Sequence, residues 1–167
     1  MKGKMEMSNE YKDWLWDIEH SDDPEDHKRW LIHEYPWLTI DNDEAVNYFD
    51  VENNKIYTYI DCAPRGWAKL CEDLCAELKV LFDKVGYKDY ALVQVKEKFG
   101  GLRWYDNGVP CEIYEKYLSI IHKYEERSFC TCCICGAPAT KISTGWISPF
   151  CDKCSKKFNG NYEDIED

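Results

Sequence analysis

Cys132 with Cys135, and Cys151 with Cys154, form two Cys-x-x-Cys pairs on either side of a 15-residue segment. Two pairs at this separation are the ligand pattern of a four-thiolate zinc site, and they fix the architecture of the last third of the chain. The first pair stands in Cys132-Cys133-Ile134-Cys135-Gly136, a knuckle whose turn aims backbone amides at both sulfurs; Gly136 accepts the backbone geometry that such a turn requires. Cys130 and Cys133 form an overlapping pair at the same spacing, and Gly136 selects Cys132 and Cys135 over them. A four-thiolate iron site usually carries Gly after both pairs, whereas Ser155 follows Cys154. Disulfides are the other fate open to ten cysteines, but the chain is longer than the small secreted scaffolds that depend on them. Four thiolates leave no open coordination position. The expected Zn2+ is therefore structural, contributing on the order of 10 kcal/mol to a module that would not fold without it.

At 167 residues the chain suits one compact domain with a small appended module, burying about 70% of its unfolded surface. No apolar run is long enough to cross a bilayer, and Met1-Lys2-Gly3-Lys4-Met5-Glu6 lacks the apolar stretch of a signal peptide. A soluble protein of a reducing cytoplasm is expected. Charge divides unevenly. Residues 1–61 hold 6 Lys and Arg against 16 Asp and Glu, residues 62–162 hold 15 against 12, and the tail from Glu163 adds four more acids. A chain with net charge −11 is a poor general binder of nucleic acid, since phosphate affinity rests on Lys and Arg.

Periodicity gives an α+β protein: helices packed on a small antiparallel sheet, with a C-terminal zinc-ribbon-like module. Four regions follow: an acidic, Trp-rich helical region over 1–61, an α+β core over 62–129, the four-cysteine module over 130–157 and an acidic tail over 158–167. Ser8 caps an expected helix running to about His20, with Tyr11, Trp14, Leu15 and Ile18 at helical spacing. Asp23-Pro24 opens a second, which carries Trp30 and Leu31 and ends before Pro36. Ile56-Tyr57-Thr58-Tyr59-Ile60 alternates as a short strand. The strongest helix begins at Gly66, carries Trp67, Leu70, Cys71, Leu74, Leu78, Leu81, Phe82 and Val85 on one stripe, and stops at Gly86. Cys71 and Cys75 on that stripe read as buried thiols. Pro110 opens a third long helix with Ile113, Tyr117, Ile121 and Tyr124 inward, running into the module, where Gly145-Trp146-Ile147 takes the place of a short strand. After Asn159-Gly160-Asn161 the tail is expected to be disordered.

Between those helices Ala91 to Lys98 alternates, with Val93, Val95 and Phe99 on one face and Gln94, Lys96 and Lys98 on the other. Gly100-Gly101 reads as a two-residue hairpin turn, which pairs Phe99 with Leu102, Lys98 with Arg103, Glu97 with Trp104 and Lys96 with Tyr105. One face is then apolar and the other basic and aromatic. Lys98 and Arg103 require an acidic counterpart, from the chain itself or from a ligand, and Glu97 requires a donor such as an indole or a backbone amide.

The run Gln94-Val95-Lys96-Glu97-Lys98-Phe99-Gly100-Gly101-Leu102-Arg103-Trp104-Tyr105, the Gly66-Trp67 helix start and the Cys132–Cys135, Gly145-Trp146 and Cys151–Cys154 elements resemble a group of small, mostly uncharacterised phage and prophage proteins. The resemblance covers residues 61–154; the last ligand there is often His, so Cys154 changes the ligand set while keeping the metal. It implies a phage accessory protein in a bacterial host cytoplasm and carries over no catalytic residue. His20, His27, His33 and His122 match no metalloprotease or deaminase spacing, and neither a P-loop nor a nucleophile elbow is present. A metal site made by His20 and His27 with Asp22, Asp23 and Asp26 is weaker than solvated helix-end charges. The expected function is non-catalytic binding and inhibition of a host defence protein, of anti-CRISPR or related type. In that reading Asp17, Glu19, Asp22, Asp23, Glu25 and Asp26 meet a basic, nucleic-acid-binding groove on the target, with Trp14 and Trp30 as apolar anchors. The alternative is a nucleic-acid or nucleotide-ligand module using Lys96, Lys98, Arg103 and Tyr105.

Overall fold

The computed structural model describes residues 17, 19–40, 55–158 and 160–165. The chain divides into two compact units, residues 1–58 and 59–167. The expected helix from Ser8 to His20 lies outside the described residues apart from its end, where Asp17 and Glu19 are helical. Among the described residues no helix is long and apolar enough to cross a membrane.

In the first unit, helix α1 spans Pro24–Glu34. Asp23 caps it by accepting the Glu25 amide at 2.9 Å, and Pro24 occupies the first turn. It ends at Tyr35 because Pro36 opens a 3₁₀ turn, Pro36–Leu38. Residues 56–60 do not form the expected strand. Thr58 makes a single antiparallel bridge to Thr39, and Tyr59–Cys62 turn as a 3₁₀ helix. The backbone of Ile56 is satisfied by side chains in place of a ladder: its amide donates to Glu25 Oε2 at 2.6 Å, and its carbonyl accepts Lys28 Nζ at 2.9 Å.

The second unit is α+β. After a 3₁₀ turn at Arg65–Trp67, helix α2 runs Ala68–Val85 and buries Leu70, Cys71, Leu74, Cys75, Leu78, Leu81 and Phe82. Val85, expected on the stripe, is half exposed at the helix end. Gly86 terminates the helix at φ +70°, its amide reaching the carbonyls of Phe82 and Asp83. Strands β1 (Leu92–Lys98) and β2 (Gly101–Asp106) pair antiparallel. Helix α3, Tyr114–Phe129, follows a 3₁₀ turn after Pro110, buries Tyr117, Ile121, Tyr124 and Ser128, and packs on both α2 and β2. A buried chain of hydroxyls joins these layers: the Trp104 indole donates to Tyr90 Oη at 2.9 Å, Tyr90 and Tyr117 share a hydrogen bond, and Tyr117 donates to Asp106.

The hairpin turn is displaced from its expected position. Phe99 and Gly100 are its two central residues, at φ +53° and +82°, so Lys98 pairs with Gly101, Glu97 with Leu102, Lys96 with Arg103 and Val95 with Trp104. Gly101 is not a turn residue. A Cβ there would lie 2.7 Å from Cε2 of the Phe129 ring and closer still to its Cζ, so this glycine serves the approach of α3 to the sheet. Pairing slipped by two residues leaves every side chain on its face, and Lys96, Lys98, Arg103 and Tyr105 therefore still lie together. A bulge between Leu92 and Gln94 breaks the alternation: Leu92 is buried and Val93, expected inside, is 62% exposed.

The C-terminal module consists of β3 (Lys141–Ser143), β4 (Pro149–Phe150), the short helix α4 (Asp152–Ser155) and β5 (Tyr162–Asp164), in strand order β4-β3-β5. Gly145-Trp146-Ile147 is the loop of the β3–β4 hairpin and not a strand; Gly145 takes φ +92°, and Ser143 Oγ accepts the Ser148 amide at 2.9 Å to close it. The acidic tail, expected to be disordered, contributes β5. Its backbone completes the sheet on β3, and the Tyr162 ring meets Phe150 edge-on at 5.3 Å.

Candidate functional site

The sulfurs of Cys132, Cys135, Cys151 and Cys154 all lie within 4.8 Å of one another, close enough to hold a metal ion. Cys135 Sγ and Cys151 Sγ are 3.6 Å apart, which is too far for a disulfide and near the roughly 3.8 Å edge of a tetrahedron with 2.3 Å metal–sulfur bonds. Two different devices present the pairs. The first is a knuckle: the Gly136 amide donates to Cys132 O at 3.0 Å, the Cys132 amide to Ala137 O at 2.8 Å, and Gly136 adopts φ +77° as the turn requires. The second is a helix start, where Cys151 caps α4 by accepting the Cys154 amide on its sulfur at 3.4 Å.

Burial would raise the Cys132 thiol, but amides of Cys135, Cys151 and Ile134 aimed at its sulfur outweigh that and draw it down to about 7. The same cause makes it a ready thiolate donor. Arg65, Lys153 and Lys157, with Asp152, line the cleft onto which Cys135, Cys151 and Cys154 open, so its charged lining is net positive. The register question is resolved in favour of Cys132 and Cys135. Cys133 is buried away from the cluster, its thiol pushed up to about 11 chiefly by burial, and its backbone bonds Pro149 O and the Gly66 amide, each at 3.0 Å. Cys130 is exposed and outside the cluster. Cys71 and Cys75 are fully buried in α2, and burial pushes the Cys71 thiol up to about 12.

The knuckle is fastened to the α+β core by the Gly66-Trp67 pair. A Cβ on Gly66 would sit 2.7 and 2.9 Å from the carbonyl carbon and oxygen of Cys133, and closer still to the carbonyl oxygen of Cys132. The completely buried Trp67 donates its indole N–H to Thr131 O at 2.8 Å. Nothing in the sequence marks this docking beyond the glycine itself.

On the hairpin, Glu97 finds the expected backbone donor, accepting the Gly100 amide at 2.6 Å. The cations find rings. Lys96 Nζ lies 5.2 Å from the Tyr105 centroid, Lys98 Nζ 5.4 Å from Phe99, and the Arg103 guanidinium 6.0 Å from Phe129. Arg103 also donates to Leu102 O at 2.7 Å. Among the described residues, no carboxylate forms an ion pair with Lys96, Lys98 or Arg103, so the acidic counterpart expected of the chain is not found there. Phe99, expected on the apolar face, is 68% exposed at the turn.

The acidic candidates separate into two groups. Asp23 caps α1, Glu25 holds the Ile56 amide, and Asp26 pairs with Arg29 at 2.6 Å; hydrogen bonds from Ser21 and Arg29 hold the Asp26 carboxyl below its ordinary value. These three serve the fold of their own unit. Asp17, Glu19 and Asp22 are exposed. Trp30 is half buried, stacked on His27 at 5.8 Å and edge-on to Tyr35, and Trp14 lies outside the described residues. The four cysteines are the only cluster among the described residues that could hold a metal ion, which leaves His20 and His27 outside any such group. Comparison with protein-family models, with curated proteins and with solved structures finds no match to this chain.

Proposed function

We propose that the chain is a non-catalytic, zinc-stapled binding protein of the phage accessory kind that it resembles. Cys132, Cys135, Cys151 and Cys154 hold a structural Zn2+ that locks the knuckle to the start of α4 and fixes the surface around it. The four-sulfur cluster carries this reading: all four donors are soft, the set is closed, and its dimensions suit a tetrahedral ion. Elemental analysis of the purified protein tests it, with one zinc per chain expected. The cobalt-substituted protein should absorb as a tetrahedral thiolate complex, and Cys135→Ser and Cys151→Ser should abolish retention of either metal. Iron as the resident metal, or four thiols that titrate freely in the native protein, would overturn it.

The partner in this reading is a host defence protein with a basic nucleic-acid-binding surface, blocked sterically or by phosphate mimicry. Exposed Asp17, Glu19 and Asp22, in a region of 6 bases against 16 acids, support it; Asp23, Glu25 and Asp26 contribute through the shape of α1. Capture from host lysate with the parent and with the D17K/E19K/D22K variant is the test. A retained nucleic-acid-handling protein that the triple variant releases supports the reading, and equal retention by both refutes it.

A further inference from the structure

We infer that the second unit carries a separate binding surface for single-stranded nucleic acid at the tip of the β1–β2 hairpin. The surface comprises Lys96, Lys98, Phe99, Arg103 and Tyr105 with Trp146 beside it. It lies wholly within the second unit and does not rest on the acidic residues of the first.

Three observations converge on it. First, Phe99 occupies the first central position of the turn at φ +53°, a conformation that favours Gly, Asn or Asp, and holds its ring 68% exposed. The approach of Phe129 to Gly101 sets the turn there, the Lys98 ammonium reaches the exposed ring, and a bulky side chain held at such a conformation is the kind of outlier that gathers at functional sites. Second, three cations share the hairpin's outer face. Each lies near an aromatic ring, and none is ion-paired among the described residues. Lys96 and Arg103 stand directly opposite on adjacent strands, where like charges repel, so an anion bridging them relieves a cost that the fold otherwise bears. Third, the loop of the zinc module is seated on the same tip: a Cβ on Gly100 would lie 3.1 Å from Ile147 Cγ2. That contact brings to the hairpin a loop whose Trp146 is 80% exposed.

Exposed rings interleaved with unpaired cations are the chemistry of single-strand recognition, in which bases stack on side-chain rings while the backbone phosphates meet Lys and Arg. A duplex keeps its base faces stacked on one another and cannot offer them to Phe99 or Trp146. An acidic protein surface would satisfy the cations and leave the rings without a stacking partner.

Fluorescence anisotropy with a labelled oligothymidylate of about 16 nucleotides, at about 50 mM salt, tests the surface on the full-length, zinc-loaded protein. Affinity should fall with salt, and Lys98→Ala and Arg103→Ala should each flatten the slope of log K against log salt by about 0.7. Phe99→Asn and Trp146→Ala should each weaken binding on the order of 5- to 100-fold without changing that slope. Binding should also quench tryptophan emission, through Trp146. Both aromatic positions are exposed, so folding is checked by zinc content and circular dichroism, which should match the parent. Absence of binding at low salt would overturn the proposal. Equal affinity for a polyanion without bases, such as polyphosphate, or for duplex of the same length, would do so too. A protein that holds one zinc yet ignores the oligonucleotide refutes this surface alone; a protein without zinc refutes the metal reading alone.

Discussion

Gly66→Ala should release the metal knuckle from the α+β core. The backbone of Gly66 is outside the left-handed region, so alanine is conformationally acceptable there and would even stabilise slightly, by about 0.4–1 kcal/mol, through the unfolded chain. Space alone decides the outcome. A Cβ would lie 2.7 Å from the Cys133 carbonyl carbon and closer still to the Cys132 carbonyl oxygen, and ordinary contact begins at 3.4 Å, so the knuckle or the helix start must retreat by more than about 0.7 Å. Both neighbours are backbone atoms and cannot swing aside as a side chain can. Retreat lengthens the Gly66 amide bond to Cys133 O, now 3.0 Å, and the Trp67 indole bond to Thr131 O, now 2.8 Å. Overpacking costs about 1–3 kcal/mol and an unsatisfied buried indole about 1–3 more. The total, about 2–6 kcal/mol, is a large part of the stability of a domain this size. Thermal melts followed by circular dichroism should show a midpoint lower by about 4–24 °C, with faster zinc loss to a chelator. Gly145→Ala is the control: it meets open space and suffers only its φ of +92°, a cost of about 1 kcal/mol. If Gly66→Ala melts no lower than Gly145→Ala and keeps its zinc equally well, the docking described for Gly66 and Trp67 is wrong.

Cys133→Ser should keep one zinc per chain, whereas Cys132→Ser should lose it, as read by elemental analysis; retention by both would restore the alternative register. Phe99→Asn should raise the melting midpoint, by about 1 kcal/mol of relieved strain, in the same variant that loses oligonucleotide affinity. Stripping the metal should unfold residues near 130–157. It should also expose the Trp67 indole, which bonds Thr131 O in the module, seen as a red shift and iodide quenching of tryptophan emission. The hydrogen bond from Lys123, with help from Tyr124, holds the Glu77 carboxyl below its ordinary value. Its contribution is therefore present above the ordinary carboxylate range and disappears as pH falls through the depressed value. Glu77→Gln should cost under about 1 kcal/mol at neutral pH, because the pair is solvent-exposed, and the difference should vanish in acid, as followed by urea titration.

The parts of the fold that sequence makes legible are those set by local period and by ligand spacing. The stripe from Leu70 to Phe82 and the stop at Gly86 are explicit in the chain, as are the inward residues of α3 and the four cysteines that come together. The failures share a physical cause: each depends on a neighbour distant in sequence. Gly100-Gly101 looks like a turn pair, but Phe129 claims Gly101 and moves the turn onto Phe99. The alternation at Val93 is cancelled by a bulge, and the apparent strand at Ile56 is denied a ladder because Glu25 and Lys28 satisfy its backbone first. The tail is acidic enough to suggest disorder, yet β3 offers an open edge that its backbone can pair with whatever its charge.

Gly66 and Gly100 connect the four-cysteine module to the core and to the hairpin. The buried cluster around the sulfurs comprises Cys132, Cys151 and Cys154, flanked by Ile134, Ala137 and Phe150. So small an apolar core cannot offset the conformational entropy of the segment it must hold. The module is held by close backbone approach at Gly66, by Thr131 O, which accepts the Trp67 indole N–H at 2.8 Å, and by Ile147 against Gly100. Contacts of this kind are short and steep, and they persist only while both backbones are rigid. A metal held by the four thiolates, as proposed, would supply rigidity on one side, and the paired strands supply it on the other. The strained Phe99 turn therefore sits where the hairpin meets the β3–β4 loop, at the Gly100–Ile147 approach.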